Sequence, residues 1–296
     1  MADDLRRCAG LACLIGLLLC PVSAAAQAWV PPQGAGYAEL TYRHLQGGSY
    51  YDNNGDIQSL GTPYTQQIVS FWGKVGVVPR WLMVTAQGDI FRHNDIETRG
   101  TTRGVGDMQL GFWSGLLDEP FRISAGMEFG FPTGDADAGL EADQSTGSAR
   151  QPLPNGDGEF DITFSLATGV SINTEKWPLA HFWKTTAGYQ LQTEGARDAI
   201  TWGTSFGIRV RDVPVLERIW IIPHISGRHA LGSGSPESAP AITGLSDSTS
   251  YLSPGFTVTA DIYEGLGVKG GMGSAFQARN IVASASWTVG VFYDWQ

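Results

Sequence analysis

Cysteine is nearly missing from this chain, and the places where it does occur are informative. Cys8, Cys13 and Cys20 all precede Pro21. They lie in a stretch that reads as a secretory signal. Arg6 and Arg7 supply a positive start, Cys8 to Val22 an apolar core, and Ala24 to Ala28 a small-residue cleavage region. Cutting after Ala26 or after Ala28 fits equally well, which makes 1–26 a signal peptide and 27–296 a single mature domain. A lipoprotein reading through Cys20 is weak, because Leu19 stands where a small residue is expected. The mature chain then has no disulfide, no thiolate nucleophile and no cysteine metal site.

Long apolar runs are missing too. Nothing after Ala28 approaches the ~18 uninterrupted apolar residues of a spanning helix. Charge is sparse at 16% of residues, and the net charge of −10 argues against nucleic acid as a partner. Removing the signal leaves that balance unchanged, since Asp3 and Asp4 cancel Arg6 and Arg7. No phosphate loop, dinucleotide fingerprint or zinc signature is present, so no cofactor is expected. No proline-rich or serine-rich linker divides the chain.

What the chain has is alternation. Phe160 to Ile172 places apolar groups at nearly every second position, and the two faces of a strand take successive side chains. Phe121, Ile123, Ala125, Met127, Phe129 and Phe131 alternate with Arg122, Ser124, Gly126, Glu128 and Gly130. Ala283, Ala285, Trp287, Val289, Val291, Tyr293 and Trp295 repeat the pattern near the end. Behind a secretion signal, such writing throughout points to an all-β fold, a transmembrane antiparallel up-and-down β-barrel, apolar towards lipid and polar towards its lumen. The soluble alternative, a secreted sandwich or lectin-like domain, explains the alternation but not the aromatics. Trp81, Trp113, Trp177, Trp183, Trp220, Trp287 and Trp295 fall near strand ends or turns, as interfacial girdles require.

Period and turn chemistry give about twelve strands: 36–45, 64–78, 80–92, 104–116, 120–132, 159–173, 180–193, 199–211, 218–229, 250–262, 265–277 and 281–295. Tight connections at Val78 to Arg80, Leu117 to Glu119 and Tyr263-Glu264, and fairly short ones at Asn173 to Leu179 and Asp212 to Glu217, alternate with long ones. The long ones are Gln46 to Pro63, His93 to Arg103, Thr133 to Gly158 and Ala230 to Thr249, while two connections on the same side, Glu194 to Asp198 and Ala278 to Asn280, are short and depart from the pattern. Short periplasmic turns and long outer loops are the habit of outer-membrane barrels, and an even strand number puts both termini in the periplasm.

Gly104-Val105-Gly106-Asp107 opening a strand, then Phe131 to Asp135, then Gly156 to Asp161, resembles an outer-membrane transporter-like barrel family labelled "MetA-pathway of phenol degradation". The order of the three pieces matches, and the pattern covers most of the mature chain. The resemblance implies passage of small solutes, aromatic or hydrophobic compounds among them, across the outer membrane of a Gram-negative bacterium. Barrels of this kind usually finish on an aromatic residue, whereas this chain ends Tyr293-Asp294-Trp295-Gln296, with the aromatic displaced by one. The partners expected are outer-membrane lipid, a small-molecule solute and, during biogenesis, periplasmic chaperones and the insertion machinery. The sequence leaves the oligomeric state open.

A charge at mid-bilayer on the lipid face costs ~2–4 kcal/mol for Lys or Arg, so charged strand positions should face inward. These include Arg43, Lys74, Arg122, Lys184, Arg209, Arg211 and Lys269, with Glu39, Asp89, Asp107, Glu128, Asp161 and Asp261. They read either as ion pairs bracing a narrow lumen or as a selectivity constriction, for which Arg209 and Arg211 are the leading pair. The acidic group Asp135, Asp137, Glu141, Asp143 and Asp157 reads as a solvated outer loop, and it lacks the spacing of a calcium-binding hand loop. His224 and Ser226 share a face, but nothing marks them as a catalytic dyad, so lipid hydrolysis is a minor alternative and no enzyme is expected. A structural or surface-interaction barrel with a closed lumen and acidic outer loops is the other competing reading.

Overall fold

In the computed structural model, residues 28–98, 100–137, 153–172, 181–193, 196–210, 218–232, 242–246 and 248–296 are described. Among them no helix occurs. The strands are β1 (Gly36–Tyr51), β2 (Ile57–Val78), β3 (Leu82–Ile96), β4 (Gly100–Gly104), β5 (Met108–Leu117), β6 (Arg122–Phe131), β7 (Asp161–Ile172), β8 (His181–Gln192), β9 (Ala199–Val210) and β10 (Arg218–Ala230). They continue as β11 (Ser250–Tyr263), β12 (Leu266–Ser274), β13 (Phe276–Arg279), β14 (Ile281–Val282) and β15 (Ala285–Trp295). Three wall strands are interrupted, so β4 with β5, β12 with β13 and β14 with β15 each make one stave.

Every ladder is antiparallel. Neighbours in sequence pair with each other, and β1 closes on β15 from Gly36↔Trp295 to Leu45↔Ser286. The result is a closed twelve-strand barrel, as the alternation predicts. Closure removes the sheet edge, which matters because an unpaired backbone amide or carbonyl in hydrocarbon costs several kcal/mol.

The two faces differ in chemistry. Leu40, Phe112, Met127, Phe164, Leu166, Val268, Val289 and Val291 are exposed on the outside. Lys74, Arg92, Asp161, Ser205 and Asp261 are buried on the inside. A water-soluble barrel would reverse that distribution, whereas a lipid-facing wall requires it.

Sequence and structure part company in three places. The expected loops from Gln46 to Pro63 and from His93 to Arg103 are largely strand, the second because β3 continues to Ile96 and pairs with β4 from Gly100. β1 runs 16 residues and β2 runs 22, well beyond the about 9–11 that cross a bilayer, so their hairpin projects past the rim and turns at Asp52 to Asp56. In β3, Ile90 is an extra residue opposite the Val69/Ser70 step. That bulge reverses the inward parity, from Met83, Thr85 and Asp89 before it to Arg92, Asn94 and Ile96 after it. The tryptophan girdle is also smaller than expected. Trp81, Trp183 and Trp287 are exposed outside, but Trp113 and Trp220 point inward and are 1% and 8% exposed. Strand ends meet the lumen mouths as well as the lipid interface, so proximity to an end could not separate the two. Trp177 lies outside the described residues.

The turn from β11 to β12 is the tightest. Glu264 and Gly265 both have positive φ, 44° and 84°, the geometry whose twist suits a two-residue hairpin. A Cβ on Gly265 would sit 2.0 Å from the Asp294 carbonyl oxygen.

Leu166 lies outward near the middle of β7, while Thr257 lines the interior on β11. Leu166→Arg should destabilise the barrel by about 2–4 kcal/mol. Thr257→Arg, with the same charge and bulk, should be tolerated. Urea titration of both variants in lipid vesicles measures the difference, and equal losses would show that the faces are misassigned.

Candidate functional site

The lumen is filled differently at its two ends and its middle. At the end that holds both strand termini, the segment preceding β1 turns into the barrel. Ala28 and Trp29 are each 5% exposed and pack with Met83, Trp113 and Ala167 from three strands. The Trp29 ring meets Phe182 edge-on at 6.4 Å, and the Arg122 guanidinium carbon lies 6.0 Å from its centre. Gly169 makes room for it, since a Cβ there would come within 2.4 Å of the indole. Gln33 bridges to Gly76, and Gly34 N donates to Gly76 O at 2.8 Å, which ties the segment to β2.

In the middle, Glu39 accepts from Tyr37 Oη at 2.6 Å and from Lys269 Nζ at 2.8 and 2.9 Å. Arg218 pairs with Asp261 across the β10–β11 ladder. A cavity of about 450 Å³ surrounds these pairs, and a second of about 450 Å³ lies outward of it, between Asp89, Arg92, Gln109 and Asp161. Glu39 and Trp72 line both.

At the outer end the loops fold inward. Leu153 and Ile242 pack on Tyr64, Ile96 and Val282. Asn94 is the polar hub beneath them: its Oδ1 accepts from Tyr64 Oη at 2.7 Å and Gln66 Nε2 at 3.1 Å, and its Nδ2 donates to Pro154 O at 3.1 Å. Arg228 holds the other loop, donating to Thr249 O at 2.6 Å and Gln192 Oε1 at 2.8 Å.

The three glycine- and aspartate-rich pieces converge here. Asp107, in the gap between β4 and β5, accepts from Gly134 N at 2.9 Å and Asp157 N at 2.8 Å, one amide per oxygen. Thr133 Oγ1 donates to Gly106 O at 2.7 Å, and Asn155 N to Asp135 O at 2.9 Å. Gly156 is needed because a Cβ would fall 2.4 Å from Asp107 Oδ1. Asp107 therefore anchors a loop and also lines the second cavity. Burial, reinforced by the charges of Asp107 and Asp161, pushes the Asp157 carboxyl up to about 6.

The remaining expected residues are dispersed. Lys74 is buried near Arg122 and Asp294 at the terminal end, with Trp29 and Trp295 around it. Glu128 points inward on β6 against Gly111. Asp161 accepts from Gln190 Nε2 at 2.8 Å. Lys184 faces the first cavity. Arg209 pairs in register with Trp220 and lines neither large cavity. Its expected partner Arg211 lies outside the described residues, as do Glu141 and Asp143. In the acidic loop, Asp135 Oδ1 accepts from Asp137 N at 2.9 Å and Asp137 is exposed. Asp157, by contrast, is partly buried, so the loop is not solvated throughout. Trp29 has no precursor in the reading of the sequence. Ala167 and Gly169 are the smallest residues on the inward face of β7, but Thr163, Ser165 and Ser171 on that face are small as well, so the sequence carried no distinct signal for it. Among the described residues, His224 Nδ1 contacts the Ile222 carbonyl oxygen at 3.3 Å and no carboxylate orients it.

This is the architecture of an outer-membrane-type β-barrel with an inward-folded terminal segment and inward-folded loops. No family model matches the chain, and no curated protein does. Among solved structures it resembles the COG4313 outer membrane channel from Pseudomonas putida F1, at 13% identity over 93% of this chain and 100% of that one, with a TM-score of 0.61. It also resembles the beta domain of the Bordetella autotransporter BrkA, at 11% identity over 89% of this chain and 100% of that one, with a TM-score of 0.51. At these identities the likeness shows the fold.

Asp107→Ala removes two charge-assisted bonds to backbone amides and should loosen the outer loop by about 2–4 kcal/mol, with Asp107→Asn losing roughly half as much. Hydrogen exchange at the Gly134 and Asp157 amides measures it, and unchanged protection would remove Asp107 as the anchor. The raised Asp157 carboxyl gives a second expectation. Its folded form holds the proton more tightly than the unfolded chain, so its contribution is fully present below the ordinary aspartate range and is lost as pH rises through about 6. Protection of this loop, corrected for intrinsic exchange, should therefore be greater at acidic than at neutral pH, and Asp157→Asn should abolish the difference.

Proposed function

We propose that this chain is an outer-membrane channel that passes small solutes passively, aromatic or hydrophobic compounds among them, after removal of its signal segment. The observation that carries this reading is a closed barrel, apolar outside, whose polar interior holds two cavities that meet at Glu39 and Trp72. The similar Pseudomonas putida protein is an outer membrane channel, which supports it. So does the resemblance of the Gly106-Asp107, Thr133 to Asp135 and Gly156 to Asp161 pieces to a transporter-like family. Both termini are then periplasmic, the projecting hairpin and the loops around Leu153 and Ile242 face outward, and Trp29 narrows the inner end. Chaperones and the insertion machinery serve the chain before it reaches this state.

The competing reading is a structural or surface-interaction barrel, and the apolar packing at both ends of the lumen favours it to the extent that it closes the path. The two differ in conduction. Purified protein in a planar bilayer should show small discrete conductance steps, and Trp29→Ala, which removes an indole from the inner end, should enlarge them. A bilayer that stays silent with both proteins would support the closed structural barrel instead.

A further inference from the structure

The inner cavity has two aromatic walls on opposite sides of the ring of strands. On one side Tyr37 of β1 lies between Trp72 of β2, at 5.5 Å and 60°, and Phe292 of β15, at 5.6 Å and 20°. On the other, Phe182 of β8 and Trp220 of β10 meet at 5.2 Å and 57°. Following the strand pairing around the wall, β8 is diametrically opposite β1. The space between, about 450 Å³, falls within the ~300–1,000 Å³ of small-molecule sites.

The charges lining it do not all cancel locally. Lys269 is satisfied by Glu39 and Arg218 by Asp261. Asp294, at the inner floor, lies in the fields of Lys74 and Arg218. The Lys184 ammonium, on the same face of β8 as Phe182 and two residues along, makes no hydrogen bond or ion pair among the described residues. It lies near the Glu39–Lys269 pair, whose carboxylate oxygens are already occupied. Beside it in register is Ser205, 6% exposed, whose hydroxyl has no hydrogen-bond partner among the described residues. An ammonium facing the cavity, with an unused hydroxyl neighbour and flat aromatic walls, is an incomplete arrangement. What completes it is an anion attached to a ring.

We propose that this cavity is a binding subsite for small aromatic carboxylates, with the ring between the Tyr37–Trp72–Phe292 and Phe182–Trp220 walls and the carboxylate on Lys184 Nζ. The proposal rests on the channel reading for its role and on the cavity alone for its chemistry. A ring between these walls gains offset or edge-on aromatic contact, and the carboxylate gains a charge-assisted bond. Neither an aliphatic acid nor a neutral arene gains both.

Trp72 and Trp220 line the cavity, so tryptophan fluorescence of the full barrel in detergent reports binding without requiring conduction. Three probes separate the terms: benzoate, acetate, and benzyl alcohol. Benzoate should saturate the signal at concentrations where acetate does nothing. Lys184→Gln should weaken benzoate by about tenfold and leave benzyl alcohol unchanged. Unchanged mobility of the unboiled barrel on a gel confirms that the variant is folded. Benzoate bound no more tightly than acetate, or equally by the folded Lys184→Gln variant, would overturn the subsite. A silent bilayer together with Lys184-dependent benzoate binding would overturn the channel reading and leave the subsite standing.

Discussion

Everything in this structure depends on one requirement: a backbone polar group in hydrocarbon must find its partner within the protein. Strands meet it only when the first pairs with the last, as β1 does with β15. Once that ring is closed the division of side chains follows. Each residue has lipid on one side and the lumen on the other, and the alternation in the sequence distributes apolar and polar groups between them. The wall then needs no hydrophobic core of the ordinary kind. Its buried apolar residues gather in separate clusters, around Trp29 and around Leu153 at the two ends and at Phe182 and Trp220 on the cavity wall.

Between those clusters the interior is held by charge. Glu39 with Lys269 and Arg218 with Asp261 link strands that lie on one side of the barrel, and both pairs are shielded from bulk water, where exposed pairs would contribute little. Removing one partner of such a pair leaves a buried charge without compensation, which costs more than the pair itself stabilises. The lumen is therefore braced as well as lined. Lys184 stands apart in that scheme, a cation placed across the barrel from the braced side.

The wall was legible because a period of two is a local property, and Phe164, Leu166 and Val289 declare their face through their neighbours. What failed to show was anything requiring knowledge of a partner strand. The extra residue at Ile90 is invisible in β3 alone and is defined only against Val69 and Ser70. Trp113 and Trp220 satisfied the girdle pattern as well as Trp183 did, since a strand end offers two places for an indole. The glycine- and aspartate-rich pieces were recognisable as a pattern, but their meeting at Asp107 joins residues 27 and 50 positions apart, which no spacing rule encodes. Lys184 was legible as an inward cation. That its ammonium has no partner among the described residues was not, because that depends on Glu39 being claimed by a lysine 230 residues away.

The closing seam also bears on how the chain reaches this state. Each hairpin ladder connects stretches adjacent in sequence, so little chain entropy is lost in forming it. Gly36 against Trp295 encloses the whole barrel in one loop, the most expensive closure available to it. Contacts of high sequence separation form late in chains that assemble from local hairpins. The segment carrying Trp29 leads directly into that last seam, and its indole must settle on Ala167 and Gly169 from the far side of the ring. Order of assembly and filling of the lumen are thus the same event at this end, and a barrel arrested before its seam closes would still have that tryptophan in water.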